Sequence, residues 1–136
     1  MRYRVKSNNA QQISNIVHVP HSMNTHSFEF ALKSFCNNLL ARLEAYKTRL
    51  NLTYFDKYEV VTDTGGSKFV KVYRAELNKG GQELNRHIIA FVSKENGAIF
   101  KPATYRAPAK HARGNIYSDT FGMEAISDCG HVKYLK

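Results

Sequence analysis

Apolar residues at Phe28, Leu32, Phe35, Leu39, Leu43, Tyr46 and Leu50 recur at steps of three or four positions. That spacing is one face of an α-helix, so it predicts a helix over 28–50. Asn24 or Ser27 offers an N-cap. Glu29 suits the positive end of the helix dipole, and Lys47 and Arg49 suit the negative end before Asn51. Ala31, Cys36 and Leu40 widen the apolar face beyond a coiled-coil seam, which points to a helix lying on a sheet.

Residues C-terminal to the helix supply that sheet. Residues 57–62 are β-branched and aromatic, and Asp63-Thr64-Gly65-Gly66 reads as a turn. A second strand is expected over 67–75, a break at Asn78-Lys79-Gly80-Gly81, and a third strand over 86–92. Asn96-Gly97 is a tight-hairpin pair leading to a fourth strand over 98–101, stopped by Pro102. The fold class is therefore α+β: one long N-terminal helix packed on an antiparallel β-meander of about four strands, with a less regular basic C-terminal segment. Residues 107–115 read as a short helical turn or an extended loop. Ahead of the helix, 1–23 is expected to be an N-terminal arm, with alternation at 2–6 and a short strand at 16–19 ended by Pro20. Residues 24–136 make one domain.

At 136 residues with 43% hydrophobic content, the chain is one small domain able to bury a core. No stretch approaches the roughly 20 apolar residues of a membrane span. The basic start is followed by Ser, Asn and Gln rather than an apolar signal core, so the expected location is cytoplasmic. Cys36 and Cys129 lack CxxC spacing, which argues against a disulfide scaffold or zinc ribbon. Cys36 reads as a small buried hydrophobe.

The charge supplies the functional lead: 20 basic against 11 acidic residues, for a net +9. Between Asn96 and Ser118 there is no acid, while Lys101, Arg106, Lys110, His111 and Arg113 alternate with Phe100, Tyr105 and Tyr117. Cations neutralise phosphates and release counterions, and aromatic faces stack unpaired bases. On the second strand, Lys68, Lys71 and Arg74 interrupt an apolar run, and Lys71 shares a face with Phe69 and Tyr73 by the two-residue period. If the helix covers Val70 and Val72, the opposite face would present that basic and aromatic mixture. The candidate nucleic-acid-binding residues are thus Lys68, Lys71, Tyr73, Arg74, Lys101, Tyr105, Arg106, Lys110, His111 and Arg113. The expected function is non-enzymatic binding of nucleic acid, more readily single-stranded DNA or RNA. The alternative is a virion-structural or oligomeric factor that meets a phage or host protein, or a second copy of itself, through the same surface.

The stretch 87–116 resembles a motif of small, uncharacterised bacteriophage-encoded proteins. It combines a strand, an Asn-Gly turn, Lys101-Pro102-Ala103, an aromatic at Tyr105 followed by Arg106, then Ala107-Pro108-Ala109-Lys110 and Arg113-Gly114-Asn115. The resemblance implies a phage origin, hence the host cytoplasm, and a protein that handles nucleic acid or joins the virion. It supplies no catalytic or binding residues.

Catalytic constellations are thin. His18, His21 and His26 in a polar arm, even with Cys129 and His131, make a weak zinc set, and no metal or other cofactor is expected. Asp119, Glu124 and Lys110 form a generic set for a small metal-dependent nuclease, the third alternative. Gly65-Gly66 and Gly80-Gly81 lack the helix and lysine of a phosphate loop.

Overall fold

The computed structural model describes residues 26–134 and the backbone of residues 2–6. Its helix, α1 (Phe28–Leu50), begins and ends where the spacing predicts. The Ser27 hydroxyl caps it by accepting from the Phe30 N–H at 3.1 Å. Asn51 ends it in the left-handed conformation, with its N–H turned back to the carbonyls of Lys47 and Thr48. Leu32, Phe35, Leu39 and Leu43 are fully buried on the sheet, and Tyr46 and Leu50 run out of it.

Among the described residues the sheet has six strands in sequence order, each antiparallel to its neighbour: β1 (Arg2–Lys6), β2 (Lys57–Asp63), β3 (Phe69–Leu77), β4 (Glu83–Ser93), β5 (Ala98–Phe100) and β6 (Gly114–Asn115). The predicted four-strand meander is β2 to β5. Two further strands extend it. Residues 2–6, expected in the arm, pair with β2 as an edge strand, so the helix comes after a strand rather than opening the chain. Residues 107–115 form no helical turn but a bent loop that ends in β6. The strand expected at 16–19 lies outside the described residues.

Alternation on β3 is as predicted: Val70 and Val72 are buried under α1, while Phe69, Lys71 and Tyr73 face the other way. That outer face is not an open platform. Phe69 meets Phe91 and Phe100 edge to face, with centroids 5.8 and 5.7 Å away, Lys71 lies over the Phe91 ring, and Val61, Ala75 and Leu77 make a second buried cluster. β4 carries one extra residue at Ile89, because Val72 pairs with Ala90 but Tyr73 with Ile88. This bulge changes what lies opposite the next inward position of β3.

The tail completes the core. Ile116, Ala125, Ile126 and Val132 join the cluster made by α1 and β2 to β5. Two positive-φ glycines let the tail lie that close: Gly122 (φ 91°) beside Phe35 and Ile99, and Gly130 (φ 82°) beside Leu43. A β-carbon at Gly122 would sit 2.9 Å from Phe35 Cδ1, as well as against Ile99 Cδ1. Overpacking and left-handed strain together make Gly122→Ala destabilising by about 2–4 kcal/mol. Urea unfolding should show this as a lower midpoint with an unchanged slope, whereas Gly81→Ala, with nothing near its β-carbon, should lose only the strain component.

Candidate nucleic-acid interface

The basic segment 101–113 is a small hairpin projecting from the end of β5. Pro102 bridges to Pro108, and the Ala109 N–H donates to the Lys101 carbonyl at 2.7 Å. At the tip the Thr104 hydroxyl accepts from the N–H groups of Arg106 and Ala107, at 3.1 and 3.2 Å. This fixes the turn without using Tyr105 or Arg106 in the core. Tyr105 is 61% exposed, the Arg106 guanidinium lies 5.4 Å from its ring centroid, and Arg106 Nε donates to the Tyr105 hydroxyl. A flat ring and a fixed cation therefore stand together in solvent. Lys110 and His111 come next, also exposed, with His111 in the left-handed region (φ 71°).

The remaining candidates divide by what holds them. Arg113 is half-buried and serves the loop, its Nη1 donating to the carbonyls of Lys110 and His111 at 3.1 and 3.0 Å. Lys68 is exposed just before β3. Tyr73 on the outer face is covered by the Arg86 guanidinium at 5.5 Å, and Arg86 is itself paired with Glu83 at 2.7 Å. Lys71 stays on that face, half-buried over Phe91. Arg74 and Lys101 leave the outer face altogether and meet on the helix side. There they line a cleft of ≈ 280 Å³ with His87, Ile88, Ile89, Pro102, His131 and Val132.

Sequence reasoning missed His87 and did not connect His131 to this place. His87 lies opposite Arg74 only because of the Ile89 bulge; an unbroken register would set Ile88 there. His131 arrives by the tail, and Lys101 Nζ clamps that tail by donating to the Val132 carbonyl at 2.9 Å, with the Tyr134 ring 4.1 Å away. The Arg74 Nε is buried and has no hydrogen-bond partner among the described residues.

Of the residues of the nuclease alternative, Glu124 is taken up by the fold. Glu124 is a staple: its carboxylate accepts from the Ser118 hydroxyl at 2.7 Å, from the Thr120 hydroxyl, and from the Asn115 N–H at 3.0 Å. Burial alone would raise its pKa, but these donors outweigh that and hold the carboxyl below its ordinary range. Of the histidine set, His26 stacks on Phe30 at 4.9 Å, while His18 and His21 lie outside the described residues. Among the described residues no three His, Cys, Asp or Glu side chains come together, and no helix is long and apolar enough to cross a membrane. The Cys129 thiol lies 3.2 Å from the Ser127 hydroxyl, and Cys36 is in the core.

His131 reports the field of the cleft. Burial lowers its pKa, and the charges of Arg74, Lys101 and His87 lower it further. Glu76, two residues along β3 from Arg74, has its carboxylate bonded by the Tyr54 hydroxyl and the Asn85 amide instead. With its folded pKa depressed, His131 binds fewer protons folded than unfolded at pH below its ordinary value of about 6.5. Its contribution to stability is then full above that pH and is lost as pH falls through 6.5 toward the folded value. Melting scans from pH 8 to 5 should show His131→Gln with a shallower acid-side decline than the parent protein.

No curated protein and no solved structure matches the chain. The model of one family, described as a family of unknown function (DUF7717), matches residues 5–135, and the protein belongs to that family.

Proposed function

We propose that this protein binds nucleic acid, preferring single strands, through the tip and flank of its 101–113 hairpin, and that it acts by binding rather than by catalysis. The observation that supports this reading most is the Tyr105 and Arg106 pair, a tyrosine 61% exposed with a cation against its ring, in a stretch free of acids. Unpaired bases stack on such a ring, and Arg106, Lys110 and His111 lie where the adjoining phosphates would run. Lys68 and Lys71 extend the positive surface. The likeness of 87–116 to a bacteriophage motif fits the same reading, with the host cytoplasm as the setting.

Fluorescence anisotropy with labelled single-stranded DNA, single-stranded RNA and duplex DNA, each titrated over a range of salt, tests the proposal. Tyr105→Ala should weaken single-strand binding by about 1–3 kcal/mol, the size of one base–aromatic stack, with duplex binding little changed. Arg106→Ala with Lys110→Ala should flatten the salt slope on a single strand by about 1.4, two phosphates' worth of counterions. All three residues are exposed, so the variants should melt like the parent. Absence of binding at low salt, together with a stoichiometric phage or host protein complex indifferent to nucleic acid, would instead make the hairpin a protein-recognition element.

A further inference from the structure

The cleft at the base of the hairpin has a chemistry of its own. Among the described residues its polar lining is cationic or imidazole: Arg74 from β3, His87 from β4, Lys101 from the end of β5 and His131 from the tail. Among the described residues the lining contains no acid. Arg74 is the telling member, because a half-buried guanidinium normally finds a carboxylate or a carbonyl for its inward donors, and the buried Nε of this one has no hydrogen-bond partner among the described residues. The nearest acid along its strand, Glu76, is bonded to Tyr54 and Asn85. Tyr58, on β2 beside that face, has its pKa pushed up to about 12, chiefly by burial, and so brings no negative charge at neutral pH. Lys101 has given one donor to Val132, and an ammonium has three. Ile88, Ile89, Pro102 and Val132 supply apolar walls, which strengthen the attraction of an anion to these donors.

We propose that this cleft is a site for a phosphate monoester dianion. Two observations select that class. Arg74 and Lys101 together bring two fixed positive charges at neutral pH, which match a monoester of about −1.5 to −2 better than a phosphodiester or a carboxylate of −1. The donors also converge from β3, β4, β5 and the tail, which suits tetrahedral oxygens rather than the planar pair of a carboxylate. At ≈ 280 Å³ the cleft takes a phosphate and part of a sugar, not a whole dinucleotide. The repulsion from Arg74, Lys101 and His87, which adds to burial in lowering the His131 pKa, would be offset by an anion among these groups. The proposal does not depend on the hairpin tip binding nucleic acid.

The monoester could be a free phosphate or the phosphorylated end of a strand, and the two are separable. The full-length protein would be titrated with inorganic phosphate, and with a trinucleotide bearing either a 5′-phosphate or a 5′-hydroxyl, while histidine ring signals are followed by NMR. Saturable movement of the His87 and His131 signals with inorganic phosphate, and a rise in the His131 pKa on saturation, are expected. Arg74→Gln should weaken phosphate binding about tenfold or more, as loss of a charge-assisted bond does, while Arg74→Lys retains part of it. Tighter binding of the 5′-phosphorylated trinucleotide than of inorganic phosphate assigns the site to strand ends; equal binding assigns it to free phosphate. Should Arg74→Gln unfold, His87→Ala at its exposed position makes the same test. No saturable shift, an unchanged affinity in the variants, or equal binding of the 5′-hydroxyl trinucleotide would overturn the proposal.

Discussion

The closure of the C-terminal tail against α1 is the contact on which the rest of the site depends. Arg42 Nη1 donates to the Ile126 carbonyl at 2.7 Å, anchoring a segment more than eighty residues later in the chain. Ile126 and Val132 are then almost fully buried, each worth about 1.5–3 kcal/mol of removal from water. Ordering a long irregular segment opposes that gain, so the anchor and the apolar contacts have to act together. Their result is positional. Val132 becomes a wall of the cleft, its carbonyl holds Lys101, and His131 is carried to within reach of Arg74 and His87.

The β4 bulge sets the other side of the same boundary. On one side of Ile89 the facing pairs are Val70 with Val92 and Val72 with Ala90, all buried under the helix. On the other side the pairs are Arg74 with His87 and Glu76 with Asn85. One added residue marks where the inner face stops being core and becomes a polar cleft. Without it Ile88 would lie opposite Arg74, and the guanidinium would border an aliphatic side chain in place of an imidazole. Bulges that re-aim side chains in this way are concentrated beside functional sites.

Legibility in the sequence tracks the range of the interactions. The helix was legible because its period, its Ser27 cap and its charged ends are all local, and β2 to β5 because their turns are marked by Gly and Asn. The inward and outward alternation of Val70, Lys71, Val72 and Tyr73 was legible for the same reason. The pairing of 2–6 with β2 was not, since an edge strand is chosen by a partner more than fifty residues away. Nor could spacing separate Arg113, folded back on its own loop, from Arg106, left in solvent. The meeting of Arg74, His87, Lys101 and His131 needs a bulge, a strand end and a tail closure at once, and none of the three leaves a periodic trace.

The net charge of +9 gains its meaning from how the acids are used. Glu44 accepts from the Tyr58 N–H, Glu76 from Tyr54 and Asn85, and Glu124 from Ser118, Thr120 and Asn115. Each of these carboxylates is held by neutral donors and builds the fold; the Arg86 and Glu83 pair, on the outer face, ties a cation down directly. Arg106 and Lys110 at the hairpin and Arg74 in the cleft pair with no acid among the described residues. An uncompensated positive surface opposes compaction through self-repulsion, and a small domain tolerates it readily only at the margin of its core. Both cationic features lie at that margin, where β5 leaves the sheet: one at the tip of the hairpin that Lys101 begins, the other at its base.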